Sequence, residues 1–291
     1  MLDFNTFGRR AKVGGSIRAR AGEFLTDDQL RAVAPSIFAT EAHESRSARF
    51  APVATSMVLD GLRREGFQPV QAMQARSRIE GKAEYTKHML RLRHQGDGHA
   101  LAVGDKAFEI VLVNANDGTA AYHMAPGLFR LVCLNGLMVS EGSYDEVKVR
   151  HSGDAVGQVI EGAYRVLGES EEVMDQANRF SALALSPPER HIMAEAAHTL
   201  RFGDKEADAV PVTAADLLRP RRYADNGADL WMTMNVLQEN VIRGGQSGRV
   251  TDANGRRRNA SVRAVAGIDQ NRSLNRALWT LAERMAELKA A

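Results

Sequence analysis

The sequence predicts an α+β fold, with a mostly antiparallel sheet in its N-terminal half and helices in its C-terminal half. Apolar and polar residues alternate between about residues 70 and 149, the pattern of strands with one face buried. After Gly153 the apolar spacing becomes helical. Strands come first and helices follow, which argues against alternating βαβ units around a parallel sheet.

Residues 1–35 are polar and basic, with Gly14, Gly15 and Gly22 interrupting any period, and read as a flexible N-terminal arm. A single α+β domain is expected over 36–291, sheet-rich over 36–153 and helical over 154–291. Residues 55–65 form a helix with Thr55 as N-cap. The clearest hairpin joins 70–79 to 84–94 through a turn at 80–83. One of its faces buries Leu90 and Leu92, and the other presents Arg76, Arg78, Lys87, Arg91 and Arg93. A strand over 108–113 ends in the turn Asn114-Ala115-Asn116-Asp117-Gly118. Further strands are expected over 119–124, 128–134 and 137–139 and around Val147 and Val149, with a tight turn at Asn135-Gly136. Helices follow over 155–185, over 189–201 behind Ser186-Pro187-Pro188-Glu189, after a capping box at Thr213–Asp216, and over 230–241 and 274–288. Between the last two lies a glycine- and arginine-rich loop, 243–272.

The chain has 291 residues, 44% hydrophobic and 25% charged, an ordinary globular mixture that can bury a core without disulfides. Its single cysteine, Cys133, sits among Leu131, Val132 and Leu134 and reads as a buried, reduced thiol. That usage fits a reducing, cytoplasmic compartment. No apolar run reaches the roughly 20 residues of a membrane helix, and the N-terminus carries no export signal. The net charge of +2 hides an uneven distribution. Arg9, Arg10, Lys12, Arg18 and Arg20 crowd one segment, and Arg243, Arg249, Arg256, Arg257, Arg258, Arg263, Arg272 and Arg276 another. Such segments point to a local anionic partner, or to a solvated surface whose charges balance over the fold.

Motifs for catalysis are weak. His88, His94 and His99 lie close together but lack a His-Glu-x-x-His pattern, and His88 shares the parity of Leu90 and Leu92, as a buried strand histidine would. Glu41, His43 and Glu44 have ligand chemistry in a polar stretch, and Asn114, Asn116 and Asp117 suit a turn better than a hard cation. There is no phosphate-binding loop or dinucleotide fingerprint, and the apolar neighbours of Cys133 raise a thiol pKa instead of activating it. No cofactor, metal or catalytic residue is expected.

Nucleic-acid binding has more support. Mobile arginines suit phosphate oxygens, because a guanidinium offers two parallel donors and is weakly hydrated. The candidate contacts are Arg76, Arg78, Lys87, Arg91 and Arg93 on the hairpin, Arg130, and Arg243, Arg249, Arg256, Arg257, Arg258 and Arg263 in and beside the loop. Only 6% of residues are aromatic and none alternates with these arginines, which leaves Tyr85 and Tyr122 as stacking candidates.

Four phrases carry a family resemblance. They are Gly127-Leu128-Phe129-Arg130-Leu131-Val132-Cys133-Leu134-Asn135-Gly136-Leu137; Val149-Arg150-His151-Ser152-Gly153; Asn235-Val236-Leu237-Gln238-Glu239-Asn240-Val241-Ile242-Arg243-Gly244-Gly245; and Asn275-Arg276-Ala277-Leu278-Trp279. With them the chain resembles the phage/plasmid-like family built on a domain of unknown function (DUF 932), from about residue 40 onward. The resemblance implies an origin in phages, prophages and plasmids and assigns no activity. The layout is also broadly similar to that of single-strand annealing proteins, an analogy of fold that does not fix function. Within the phrases, Arg130, Asn135, His151, Gln238, Glu239, Asn240 and Arg243 are candidates either for specific roles or for capping and buried hydrogen bonds.

The leading expectation is a homo-oligomeric protein that binds single-stranded DNA in recombination, without membrane association. The alternatives are a self-assembling or host-factor-binding interaction protein and a metal-dependent nuclease using Glu41, His43 or His151.

Overall fold

The computed structural model describes residues 15–20, 22–41, 43, 53–77, 79, 81–97, 106–130, 137–138, 147–150, 154–203, 205, 207–252 and 254–290. Expectations at Arg78, His99, Cys133, Asn135 and His151, and over residues 1–14, lie outside the described residues.

The fold is α+β. Its first part comprises β1 (Ser16–Arg18), α1 (Asp27–Val33), α2 (Thr55–Arg64), β2 (Phe67–Gln74), β3 (His88–His94), β4 (Lys106–Asn114), β5 (Tyr122–Arg130), β6 (Leu137–Met138) and β7 (Val147–Val149). These strands form one sheet in the order β1-β2-β3-β4-β5-β6, with β7 also paired to β5. There follow α3 (Ala155–Gly168), α4 (Ser170–Ala182), α5 (Pro187–Phe202), α6 (Ala214–Leu217), α7 (Leu230–Arg243), β8 (Ser247–Thr251), β9 (Arg257–Ser261) and α8 (Ile268–Ala290). The chain divides into two compact units. The first contains 1–100, 109–124 and 146–166, and the second 101–108, 125–145 and 167–291. Among the described residues no helix is long and apolar enough to cross a membrane.

Several elements differ from expectation for local reasons. Within 1–35 the chain forms β1 and α1. Helix α1 opens on a capping box between Thr26 and Gln29, a Thr-x-x-Gln signal readable from the sequence. The two strands expected over 119–134 are one strand, β5, which changes partner along its length. Tyr122 to Met124 pair with β7, and Gly127 and Leu128 with β6. Pro126, which has no N–H to donate, falls between the two paired stretches. The segment 243–272, expected as a loop, contains the antiparallel pair β8–β9 and the first turn of α8. The capping boxes Ser186–Glu189 and Thr213–Asp216 open α5 and α6 as expected.

In the first unit the register sorts side chains by face. Gln74, His88 and Asn114 align across β2, β3 and β4, as do Ala72, Leu90 and Leu112. Thr55 reaches His88 from the first turn of α2, so α2 lies on this face and buries Val58, Leu59 and Leu62. Thr55 is not the N-cap: Ala54 holds that position without a side-chain bond. The Thr55 hydroxyl is instead committed to the core.

It belongs to a buried polar chain whose proton arrangement, with His88 neutral, follows from Ser36 and Gln74. Ser36 Oγ donates to Gln74 Oε1 at 2.7 Å, and so accepts from His88 Nδ1 at 2.8 Å. His88 Nε2 must then accept from Thr55 Oγ1 at 2.8 Å, and Thr55 Oγ1 accepts from Asn114 Nδ2 at 2.9 Å. Asn116 Nδ2 donates to the Ser36 carbonyl, and Tyr122 OH to the Val53 carbonyl, each at 2.8 Å. Burial pushes the Tyr122 hydroxyl pKa up, and the Thr55 contact works in the opposite direction. His88 is thus a buried strand histidine, as its parity predicts.

Replacing His88 with leucine removes the Thr55 and Ser36 contacts and leaves the Thr55 donor only the longer contact to the Tyr122 hydroxyl at 3.2 Å. At about 1–3 kcal/mol per stranded group, His88→Leu is expected to lower unfolding stability by about 2–4 kcal/mol. Urea denaturation checks this, and an unchanged midpoint would contradict it.

Candidate nucleic-acid interface

The arginines of this protein divide into two physical populations. A guanidinium loses hydration when buried and must find a carboxylate, whereas an exposed one keeps its donors available. Which population an arginine joins depends on where the acids lie.

In the first unit, Arg91 and Gln71 are paired across β2 and β3 on the face opposite His88. Glu109 of β4 has the parity of that face and is 1% exposed. Arg91 donates to Glu109 through Nε at 2.6 Å and to Gln71 through Nη1 at 2.5 Å, and Arg93 Nη2 donates to Glu109 at 2.5 Å. Arg91 itself is 2% exposed. Burial pulls its guanidinium pKa down to about 9 while Glu109 raises it, so it stays charged at neutral pH. This corrects the expected solvent-facing row of Arg76, Arg78, Lys87, Arg91 and Arg93. The period-two pattern is present, but both faces of β3 are covered, and one glutamate neutralises the arginines at its centre. Arg76 is exposed and Lys87 half-buried, beyond the paired stretch. For Arg130 only the backbone, at the end of β5, is described.

In the second unit, α7 is buried along almost its whole length, and its polar residues are consumed internally. Glu239, 2% exposed, accepts from both nitrogens of the Arg222 fork and from Arg243 Nη1 at 3.0 Å. Arg222 Nε also meets the buried Asp225 at 2.9 Å. Asn240 accepts from Arg221 Nε at 2.8 Å and donates to the carbonyls of Leu217 and Arg219. Gln238 donates to Asn275 at 2.9 Å, tying α7 to α8. Arg243 is therefore a partner of Glu239 first. Gln238, Glu239, Asn240 and Asn275, all from the resembling phrases, have structural work to do.

The β8–β9 hairpin is different. Its base is fixed by backbone bonds between Gly245 and Val262 and between Val262 and Gln246, and by Arg201, which donates to the carbonyls of Val241 and Arg263. Its inner face carries Gly248 and the buried Val250. A Cβ on Gly248 would lie 1.6 Å from the Pro211 carbonyl oxygen, so this close seating requires glycine. At the tip, Asp252 Oδ1 accepts from the backbone of Asn254 and Arg256, and Gly255 takes a φ of +74°.

The register places Ser247, Arg249 and Thr251 beside Ser261, Asn259 and Arg257 on the outer face. That face is polar throughout. Arg249, Arg256, Arg257, Arg258 and Arg263 are all exposed, and among the described residues none of them is seen in an ion pair. Of the twelve candidate residues, Arg249 and Arg257 share the outer face, Arg256 is at the tip, Arg258 has the register of Val250 on the other face, and Arg263 follows β9. Arg76, Lys87, Arg91 and Arg93 belong to the other unit.

Glu109 and Asp225 were not anticipated as charge partners, although the parity of Glu109 in the 108–113 strand could have suggested it. The hairpin was also legible: Asn254-Gly255 is a turn signal between two stretches with period-two spacing around Val250 and Val262. Among the described residues no group of three or more His, Cys, Asp or Glu side chains converges as a metal site would require. Glu41 is exposed, the His43 ring packs edge-on to Tyr85 at 5.4 Å, and Glu44 lies outside the described residues.

The division predicts opposite stability effects. Glu239→Ala removes the shared partner of Arg222 and Arg243 and is expected to cost about 2–4 kcal/mol. The triple change Arg256→Ala, Arg257→Ala, Arg258→Ala is expected to stay within about 1 kcal/mol of the parent. Chemical denaturation of both variants checks the pair. Equal losses would contradict the division.

Comparison with known proteins agrees with the phrases singled out in the sequence. Residues 42–279 match the family model described as a domain of unknown function, DUF932. The UPF0380 proteins YafZ and YfjQ of Escherichia coli (strain K12) are each 47% identical over 275 residues, covering 94% of this chain and 96% of the relative. No solved structure matches the chain. The chain therefore belongs to the DUF932 family.

Proposed function

We propose that the protein binds single-stranded nucleic acid, in the first instance single-stranded DNA, through the exposed arginines of the β8–β9 hairpin and Arg263 just beyond it. One observation carries the reading: five exposed arginines lie on or directly after one seated hairpin without an ion pair among the described residues, while Arg91, Arg93, Arg222 and Arg243 are taken up by buried carboxylates. An array of guanidiniums with available donors matches the charge of a phosphate chain and carries no base readout of its own. Arg249 and Arg257 stand among Ser247, Thr251, Asn259 and Ser261, whose hydroxyls and amide add neutral donors of the kind that bond phosphate oxygens.

The reading extends to self-association on the strand and to recombination in a phage or plasmid. Those two steps are supported by the family resemblance and by the sheet-then-helix layout it shares with annealing proteins, and they stand on a fold-level analogy.

The test is a salt titration of oligodeoxythymidylate binding, with the mass of the complex read by light scattering. Single-strand affinity falls with salt with a log–log slope of about −0.7 per phosphate neutralised, so the Arg256→Ala, Arg257→Ala, Arg258→Ala protein should show a slope shallower by about 2. An absence of binding at low salt, or an unchanged slope in the triple variant, would sink the phosphate-contact reading. A mass that never exceeds one chain per oligonucleotide would remove self-association.

A further inference from the structure

Tyr223 is 93% exposed, the most exposed large hydrophobic side chain among the described residues. Exposed aromatics on mobile loops need no explanation, but this one sits on a short 3-10 turn, Tyr223–Asp225, that is held firmly. Arg222, immediately before it, is clamped by Asp225 at 2.9 Å and by the Glu239 carboxylate, and both acids are 2% exposed. The turn closes on itself through bonds from Asp225 N to the Arg222 carbonyl at 3.0 Å and from Asn226 N to the Tyr223 carbonyl at 3.2 Å. Two buried acids thus anchor a turn whose aromatic ring faces water.

The residues just before this ring in the chain line a cleft that reaches the hairpin. A polar cleft of about 350 Å³ is lined by Asp216, Arg219, Arg221, Asn240, Gln246 and Ser247, among others, with Arg219 paired to Asp216 at 3.1 Å. Ser247 also lines the shallow groove across the hairpin together with Arg249, Asn259 and Ser261. The two share Ser247, so polar surface runs from the hairpin to Arg219, Pro220 and Arg221; Tyr223 itself lines neither and lies two residues further along the chain. Within the cleft, Gln246 Oε1 is buried without a hydrogen-bond partner among the described residues, while its amide nitrogen donates to the Asn240 carbonyl at 3.1 Å.

We propose that Tyr223 is the base-stacking residue of the strand whose phosphates the hairpin arginines hold. The inference rests on the phosphate-binding reading above. Stacking supplies what that surface otherwise lacks: arginines hold any polyanion, and an aromatic face adds affinity only where a base is present. The phenol oxygen is not required, because the contact is made by the ring face.

The experiment compares oligodeoxythymidylate with an abasic oligonucleotide of the same length, at one salt concentration, for the wild type, Tyr223→Ala, Tyr223→Phe and the hairpin triple variant. Tyr223→Ala should weaken oligodeoxythymidylate binding about five- to a hundredfold and leave abasic binding unchanged, and Tyr223→Phe should match the wild type on both. The triple variant should lose affinity for both probes. If Tyr223→Ala binds both probes as the wild type does while the triple variant is impaired, the stacking role falls and the phosphate reading survives. If Tyr223→Ala weakens both probes equally, the contact is not stacking and the inference falls. If the wild type binds neither probe, both readings fall together.

Discussion

The carboxylate of Glu239 is the point on which the second unit turns. It lies one turn from the C-terminus of α7, is 2% exposed, and receives Arg222 from one side and Arg243 from the other. Leaving either guanidinium near a buried acid without contact would cost several kcal/mol, so the end of α7 and the segment carrying Arg222 must meet. From that junction two features depart. The chain leaves α7 through Gly244 into β8, and Tyr223 follows directly after Arg222. Neighbouring Asn240 repeats the arrangement with Arg221 and with the carbonyls of Leu217 and Arg219. Glu239, backed by Asn240, therefore sets where the hairpin starts and, together with Asp225, how the Tyr223 turn is held.

The same rule, applied on the sheet, explains why a sequence rich in arginine shows only part of that charge to solvent. Glu109 draws Arg91 and Arg93 onto a covered sheet face, just as Glu239 draws Arg222 and Arg243 onto α7. Among the exposed arginines, a sequence-local group stands on and beside β8–β9, where Asp252 is occupied in capping the turn and Val250 and Gly248 hold the inner face down. The net charge of +2 is the sum of these opposed placements and says little about the local field.

Much of the fold was legible because the signals were local. Period-two runs, the Pro-Pro start of α5, the Thr213–Asp216 box and the parity of His88 depend on residues a few positions apart, and each corresponds to a described element. What was missed depends on distant partners. The burial of Arg91 follows from Glu109, 18 residues away on another strand, and the clamp on Arg222 follows from Glu239, 17 residues away. Thr55 illustrates the same limit: its helix was correctly placed, but its hydroxyl serves His88, 33 residues away, instead of the helix terminus. The loop expected over 243–272 was misread for another reason. Its arginines dominated the composition and masked the Asn254-Gly255 turn with valines on either side.

The central claim is the partition of arginines into a buried, paired set and an exposed set on one hairpin, and reaction with phenylglyoxal followed by peptide mass mapping addresses it most directly. That reagent modifies accessible guanidiniums. The partition predicts rapid modification at Arg249, Arg256, Arg257, Arg258 and Arg263, slow modification at Arg91, Arg93 and Arg222, and protection of the hairpin set alone when single-stranded oligonucleotide is added. Modification of Arg91 or Arg222 as fast as Arg257, or protection spread evenly over all arginines, would contradict it.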